Sequence, residues 1–162
     1  MSIRDAEERD LVAITELYND VVRSSTATFN DQPASLEARG DWLAARRARS
    51  YPVLVAEFDG AFAGFASFGD FRAGPGYRHT VEHTVYVSPG VRGRSLGTLL
   101  MKTLFARALA LDKHVMVGAI DAANEASIRF HERLGFQTVG HMTEVGRKFN
   151  RWLDLVLMQR TL

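Results

Sequence analysis

The fold is decided by the stretch Thr84-Val-Tyr-Val-Ser-Pro-Gly-Val-Arg-Gly-Arg-Ser-Leu-Gly-Thr98, in which a β-strand leads through a loop of small residues into a helix. The residues before the loop alternate as a strand does, and the leucines after it recur at helical spacing. The free backbone N–H groups at a helix N-terminus carry partial positive charge and bind anions such as a pyrophosphate. Gly93 and Gly97 permit close approach to the backbone, and Arg92 and Arg94 add positive charge. The stretch therefore predicts a pyrophosphate-binding loop, with an ordinary strand-to-helix turn as the alternative.

Two other phosphate-binding loops fit this stretch poorly. It lacks the Gly-Lys-Ser/Thr ending of a mononucleotide-binding P-loop, and it lacks the three-glycine fingerprint of dinucleotide-binding folds. Both of those loop types are therefore disfavoured.

Strand and helix signals alternate along the rest of the chain. They predict, in order, a strand at Ile3, helices from Leu11 to Val22 and Leu36 to Arg49, a hairpin of Val53 to Phe58 and Phe62 to Phe68 around Asp59-Gly60, a strand from His79 to Val87, a helix from Leu96 to Asp112, a strand from His114 to Ile120, a helix from Asn124 to Leu134, and strands at Phe136 to Val139 and Trp152 to Met158. This order, βααβββαβαββ, predicts a three-layer α/β domain around one central sheet.

Some local expectations accompany this order. Asp5 is expected to cap the first helix, and the arginines of the second helix are expected to face solvent. Gly135 is expected to end the helix that Asn124 begins. Core packing is the favoured explanation for the aromatic residues Phe149 and Trp152, with a subunit interface as the alternative.

Length and composition are those of a single globular domain, here residues 1–162. Twenty Lys and Arg against nineteen Asp and Glu leave a net charge of +1, which disfavours nucleic acid as a partner. The absence of cysteine excludes disulfides, thiolate metal sites and an acyl-cysteine intermediate. The charged first residues lack the apolar core of a signal peptide, and no apolar run approaches the ~20 residues of a membrane span. We therefore expect a cytoplasmic protein with no membrane partner.

Two motifs carry a specific resemblance to a known family. Arg92-Gly-Arg-Ser-Leu-Gly97 resembles the Arg/Gln-x-x-Gly-x-Gly/Ala acetyl-CoA signature of the GNAT N-acetyltransferases, with Ser95 at the usual first glycine. Asn124-Glu-Ala-Ser-Ile-Arg-Phe-His-Glu-Arg-Leu-Gly-Phe136 looks like the second motif of the same superfamily. The resemblance implies a single-domain α/β GNAT fold, with a central mixed, mostly antiparallel sheet flanked by helices, and acetyl-CoA as co-substrate.

Nearly the whole chain resembles one branch, the phosphinothricin and methionine sulfoximine (or methionine sulfone) acetyltransferases. The segments that carry this resemblance are Tyr51-Pro-Val-Leu-Val55, Gly69-Asp-Phe-Arg72, Thr80-Val-Glu-His-Thr-Val-Tyr-Val87 and Gly146-Arg-Lys-Phe-Asn-Arg-Trp-Leu-Asp154. Phe29 and Phe71 depart from the tryptophans usual in that subgroup. The resemblance implies transfer of acetyl to the α-amino group of a small L-amino acid or analogue.

By the same resemblance, three segments bind the cofactor: the end of the strand, the loop that follows it and the second motif. The implied residues are Val85, Tyr86, Val87, Arg92, Gly93, Arg94, Ser95, Leu96, Gly97, Thr98, Asn124 and Arg133. Asn124 also fits a helix N-cap, and the two roles are compatible.

The reaction needs a base, because only a neutral amine attacks a thioester. Strand alternation puts Glu82 on one face with Thr84 and Tyr86, and the resemblance implies that the catalytic carboxylate stands at Glu82. The alternative is a solvated strand glutamate or the partner of an arginine. His131 stands where many GNAT members have a tyrosine acid, which implies a proton donor to the departing thiolate; water and a structural role are the alternatives.

The carboxylate of an amino acid needs a cation. Arg72 and Arg78 flank a Gly/Pro loop just before the catalytic strand, where a forked guanidinium can bind a carboxylate bidentately. The resemblance implies that this loop and strand line the acceptor cleft, through Arg72, Ala73, Gly74, Arg78, Glu82, His83 and Thr84.

Two other functions stay open. The same fold and cofactor serve an aminoglycoside, a polyamine or a protein N-terminus in other enzymes, although a cationic acceptor favours an acidic cleft. A third hypothesis is a non-catalytic module that only binds acetyl-CoA, and the presence of Glu82 disfavours it.

The five histidines show no tight metal-ligand spacing, so no metal is expected. The resemblance also implies a homodimer.

Overall fold

The computed structural model describes residues 1–162 and confirms the predicted order of elements. The strands are β1 (Ser2–Asp5), β2 (Val53–Phe58), β3 (Ala61–Asp70), β4 (Thr80–Val87), β5 (Val115–Asp121), β6 (Gln137–Lys148) and β7 (Arg151–Thr161). The helices are α1 (Leu11–Ser24), α2 (Leu36–Ala48), α3 (Leu96–Ala110) and α4 (Glu125–Arg133). No helix is long and apolar enough to cross a membrane.

All seven strands form one sheet, in the order β1-β2-β3-β4-β5-β7-β6. Every neighbouring pair is antiparallel except β4 and β5, which run parallel because α3 carries the chain back between them. The expected mixed, mostly antiparallel sheet is therefore confirmed.

The sheet is covered on both faces, which makes the three layers. Helix α3 buries Leu100 and Leu104 completely against the larger core, which also contains Phe68 and Met116. Helices α1 and α2 cover the other face through a smaller apolar cluster centred on Phe65. Burial of one such side chain is worth about 1.5–3 kcal/mol.

The helix ends follow local sequence signals, with one exception. Ser35 and Asn124 accept hydrogen bonds from the backbone N–H groups of Ala38 and Ser127, as N-caps do. Gly135 has a φ of 85° where α4 ends. The prediction that Asp5 caps α1 was wrong: Asp5 belongs to β1 and pairs with Arg107, and a short 3-10 turn precedes α1.

Two arginines of α2 do not face solvent as predicted: Arg46 is partly buried over Gly69, and Arg39 is buried more deeply. Arg39 is only 9% exposed, and its guanidinium lies 4.4 Å from the ring centroid of Tyr18 and 4.0 Å from that of Trp42. Aromatic faces attract a guanidinium, so these rings replace a carboxylate partner. The pKa of Arg39 is lowered by burial.

The outer hairpin of β6 and β7 leaves an apolar strip exposed. The core-packing explanation for the tail aromatics was wrong, because Phe149 is 51% and Trp152 57% exposed. Val139, Met142 and Val145 are exposed beside them on the same hairpin. An exposed apolar patch of this kind is typical of an interaction surface.

Candidate active site

The site begins where β4 and β5 part. Their parallel pairing covers only Thr80–Glu82 against Val115–Val117. Beyond that point β4 continues along β3, and β5 continues along β7. Two neighbouring strands that separate in this way leave a cleft between their C-terminal halves.

The free edge of β4 faces this cleft. Ser88 N–H donates to the carbonyl of Ala63, which fixes the alternation of the β3–β4 ladder. By that alternation the backbone groups of Tyr86 pair with β3, whereas those of Val85 and Val87 point toward the cleft. Of the three residues predicted to offer backbone groups, Val85 and Val87 are the two that can pair with an added strand.

A cleft of about 490 Å³ and a groove of about 890 Å³ adjoin each other here and share part of their lining. The cleft contains the predicted acceptor residues Glu82, His83 and Thr84. The groove contains the predicted cofactor residues Val85, Val87, Arg92, Gly93, Ser95, Leu96, Gly97, Thr98, Asn124 and Arg133. The structure therefore brings most of the predicted cofactor residues together, next to the predicted base.

The two glycines of the loop act differently from each other. Gly93 has a φ of 79° and open space around it, so it allows the turn and leaves its amide accessible. A Cβ on Gly97 would lie 3.3 Å from the ring of Phe130. Gly97 therefore allows α4 to pack closely on α3, and its contact with the cofactor stays a prediction.

Ser95 adopts a left-handed conformation, with φ 61° and ψ 8°, immediately before α3. Its side chain makes no capping hydrogen bond there. A non-glycine residue pays about 1–2 kcal/mol for this conformation, and glycine does not. We expect Ser95→Gly to stabilise the folded chain by about 0.5–1 kcal/mol, once the added freedom of the unfolded chain is subtracted.

The measurement is urea unfolding of both proteins. The Ser95→Gly midpoint should rise while the denaturant slope stays the same. A lower midpoint would show that the serine contributes a contact that outweighs the backbone strain.

Arginines surround the groove at its phosphate end. Arg92 and Arg133 line it as predicted, whereas Arg94 points elsewhere and lies 4.8 Å from the ring centroid of Phe58. The sequence reasoning missed Arg151, which follows the β6–β7 turn and reaches the same groove. Its position in the chain gave no signal, because only the folded hairpin brings it near α3.

Glu82 lines the cleft from the middle of β4 and is partly buried. Burial raises the pKa of its carboxyl above the usual value, and no neighbouring charge or hydrogen bond offsets this effect. Such a carboxylate is a stronger base than one in water. The geometry and the pKa direction both suit proton removal in the cleft.

His131 also lines the cleft, but both of its ring nitrogens already have hydrogen-bond partners. Its Nδ1 lies 2.7 Å from the carbonyl oxygen of Ser127, and its Nε2 lies 3.0 Å from Nε2 of His83. A carbonyl only accepts, so Nδ1 of His131 is the protonated nitrogen. The neutral ring has no second proton for a leaving group, which argues against the predicted acid role.

The sequence reasoning missed the wall formed by residues 25–29, between α1 and α2. Thr26 donates a hydrogen bond to the buried carboxylate of Asp121. The ammonium of Lys148, 3% exposed, donates to the carbonyls of Ser25 and Thr28 at 2.6 and 2.9 Å. Strands β5 and β6 thus hold this segment in place, through residues far away in sequence.

The loop between β3 and β4 is exposed and does not reach the cleft of this chain. Arg78 donates to the carbonyl of Pro75, and the Arg72 guanidinium lies 5.4 Å from the ring centroid of Phe71. Ala73 and Gly74 are exposed with them. The loop turns back on itself around Pro75, so its arginines point outward. A role for them in acceptor binding stays a prediction.

The two phenylalanines noted in the sequence have different surroundings. Phe29 lines the cleft and packs against Gly146 of β6, where a larger residue would collide with the ring. Phe71 packs edge-on against Tyr77 outside the cleft. Phe29 is therefore the aromatic residue that shapes the cleft.

Comparison with known proteins agrees with this geometry. Residues 14–136 match the model of the acetyltransferase (GNAT) family. The chain belongs to the GNAT acetyltransferase family. The family match covers the splayed strands, the α3 loop and the second motif, and the fold expected from the resemblance is confirmed.

Relatives within the GNAT family extend over the whole chain. An L-methionine sulfoximine/L-methionine sulfone acetyltransferase from Salmonella typhimurium is 48% identical over 162 residues, which cover 100% of this chain and 95% of the relative. A phosphinothricin N-acetyltransferase from Streptomyces coelicolor is 40% identical over 165 residues, covering 100% and 96%. A putative acetyltransferase from Salmonella typhimurium, solved with its cofactor acetyl-CoA, superposes with a TM-score of 0.97 at 48% identity, covering 100% and 94%.

Proposed function

We propose that this chain transfers acetyl from acetyl-CoA to the α-amino group of a small L-amino acid or analogue, of the methionine sulfone, methionine sulfoximine or phosphinothricin type. The observation that carries the proposal is the cleft where β4 and β5 part, with Glu82 inside it and the α3 loop at its end. The relatives that cover the whole chain support the choice of acceptor.

The groove suits acetyl-CoA. The N-terminus of α3, the open backbone at Gly93, and Arg92 and Arg133 would hold the pyrophosphate. The cleft-facing backbone groups of Val85 and Val87 would pair with the amides of the pantetheine arm, as an added strand does; the Val87 carbonyl would exchange its 3.5 Å hydrogen bond from Arg92 Nε for one from the cofactor. Acetyl-CoA supplies the acetyl group as a thioester, at the point where the groove meets the cleft.

Glu82 acts as the base in this proposal. The acceptor arrives as an ammonium ion, and Glu82 takes one proton from it, directly or through water. The amine nitrogen then forms the new C–N bond as the thioester C–S bond breaks, and it loses its second proton to water as the neutral amide forms. Glu82 finally releases its proton to solvent, which restores the carboxylate.

The departing thiolate takes its proton from water in this account. His131 holds its only proton against the Ser127 carbonyl, and its other nitrogen faces His83. Water can enter the open end of the groove. His131 is therefore assigned to the wall of the cleft rather than to acid catalysis.

Arg72 and Arg78 are proposed to hold the acceptor carboxylate. They stand in the loop just before β4, and both guanidinium groups are exposed rather than paired with an acid. To reach the cleft the loop has to move inward when the acceptor binds.

A homodimer is part of the proposal, together with a cytoplasmic location. The exposed strip on β6 and β7 supports it, since a second copy would cover Phe149 and Trp152. We expect the wild-type chain to sediment as a dimer and Trp152→Glu as a monomer, because a buried charge without a partner opposes association. A wild-type chain that sediments as a monomer at micromolar concentration would contradict the proposed homodimer.

The test of the proposed function is a turnover screen that follows release of free CoA thiol. The acceptors are methionine sulfone, methionine sulfoximine, phosphinothricin, a polyamine, an aminoglycoside and a peptide with a free N-terminus. We expect the first three to react fastest. Faster turnover of an aminoglycoside, polyamine or peptide would favour an acetyltransferase that acts on one of those amines. Binding of acetyl-CoA without turnover would favour the non-catalytic module.

A further inference from the structure

Two histidines meet in the interior, one from β4 and one from α4. His83 is 9% exposed and His131 is 3% exposed. Their Nε2 atoms are 3.0 Å apart, their ring centroids are 5.0 Å apart, and their planes are inclined by only 21°. The centroid distance is close to the N···N distance plus two ring radii. Both nitrogens therefore lie between the rings, in an in-plane N–H···N hydrogen bond.

The Ser127 carbonyl fixes the tautomers of the pair. It accepts from Nδ1 of His131, so the neutral His131 ring accepts at Nε2. His83 must then donate from its own Nε2. Its Nδ1 is left as a bare lone pair, buried and without a hydrogen-bond partner.

The packing around the pair is apolar and tight. Phe136 packs edge-on against both rings, and Phe130 packs edge-on against His131. Across the sheet, a Cβ on Gly118 would lie 2.9 Å from Nε2 of His83 and 3.4 Å from the ring of His131. Only glycine at this position of β5 leaves room for the two imidazoles.

The pair has no counter-charge. The charged groups on the surrounding elements are Glu82 on the other face of β4, Asp121 at the end of β5, three residues of β7 and four of α4: Arg151, Asp154, Arg160, Glu125, Arg129, Glu132 and Arg133. None of them forms a hydrogen bond or an ion pair with either ring. Burial lowers the pKa of both histidines, that of His83 to about 3.

We propose that His83 is a positioning residue: its Nε2–H occupies the Nε2 lone pair of His131, which completes the tautomer that the Ser127 carbonyl selects and fixes the ring orientation, so that the pair stays uncharged while an ammonium ion occupies the cleft. Both rings line that cleft together with Glu82. A positive charge on His131 would repel the incoming ammonium. It would also stabilise the Glu82 carboxylate and make it a weaker base.

The first test uses the wild-type chain and needs no activity. Imidazole ¹H–¹⁵N spectra should show His131 protonated at Nδ1 alone and His83 at Nε2 alone. His83 should stay neutral at about pH 5, where an ordinary histidine is mostly charged, and His131 should become charged only at a lower pH than an ordinary histidine does. A neutral His131 protonated at Nε2, or either ring charged at about pH 6, would overturn the proposal.

The second test compares two substitutions of His83 by their pH profiles of kcat/KM. His83→Phe keeps a flat ring but removes the donor, whereas the amide of His83→Gln can still donate to His131. We expect His83→Phe to gain an extra acidic ionisation, since Nε2 of His131 then has no donor and is free to take a proton, and His83→Gln to keep the single acidic limb. Identical profiles for the two variants would overturn the proposal.

Gly118→Ala offers an independent check by spectroscopy, because it separates the rings without changing either histidine. Nε2 of His131 should lose its donor in that variant and take up a proton at higher pH than in the wild type, and an unchanged pH titration of the ring would count against the proposal. The pH-profile comparison rests on the proposed function, whereas the spectra do not. Failure of turnover with intact spectra would therefore count against the function alone.

Discussion

Replacing Glu82 with glutamine is expected to lower kcat/KM for amino-acid acetylation by about 10²- to 10⁴-fold at neutral pH, the range typical of a lost general base. The substitution keeps the shape of the side chain and removes the proton acceptor. Glutamine fits the same partly buried position on β4, so the fold should be unaffected. The rate should recover in part at high pH, where free amine becomes abundant.

The pH profile of the wild type gives the sign of this effect. Burial raises the pKa of Glu82 above its ordinary 4.5, so the carboxylate becomes protonated earlier as the pH falls. Activity should therefore fall on an acidic limb that lies above that value, and the limb should vanish in Glu82→Gln. Glu16→Gln is the matched control, since Glu16 is exposed on α1, away from the cleft. If Glu82→Gln kept wild-type activity across the pH range, Glu82 would not be the general base.

Removing the acceptor's carboxylate is expected to cost on the order of 10²-fold or more in kcat/KM. A charged group that is desolvated in the complex costs about 2–5 kcal/mol when its counter-charge is removed. The comparison is L-methionine sulfone against its decarboxylated amine, which keeps the sulfone and the amino group. Equal kcat/KM for the two acceptors would mean that no cationic side chain of the protein binds the carboxylate.

Arginine substitutions then locate the cation. Arg72→Gln and Arg78→Gln should each reduce the preference for the carboxylate-bearing acceptor, and Arg23→Gln, on the exposed side of α1, should not. Full discrimination in both loop variants would show that the anchor lies elsewhere, for example at Lys148 behind the cleft wall. The loop is exposed outside the cleft, so a loss of discrimination in either variant would also report that the loop moves inward in the complex.

Local signals made the fold predictable from the sequence. Asn124 and Gly135 mark the two ends of α4 through short-range backbone geometry. The alternation of inward and outward side chains in β4 is visible within its eight residues. The same local signals failed for Asp5, because a 3-10 turn at Glu8–Asp10 separates it from the start of α1. Burial of Arg39 depends on Tyr18, twenty-one residues away in the chain, and no periodicity of α2 indicates that contact.

The candidate site was predictable only in part, for the same reason. The α3 loop and Glu82 belong to contiguous motifs, whereas the cleft wall depends on Lys148, more than a hundred residues from the carbonyls it binds. The pairing of His83 with His131 also joins a strand to a helix 48 positions away in the chain. Gly118 was the one available signal, because a glycine inside a strand often marks a close approach of neighbouring groups.

The central claim is tested most directly by identifying the product formed from acetyl-CoA with an isotopically labelled acetyl group and L-methionine sulfone. The account predicts labelled acetyl on the α-nitrogen of the amino acid, with one free CoA thiol released for each product molecule. Acetyl-CoA that binds the groove but labels no amino acid, or that labels only amines without a carboxylate, would contradict it.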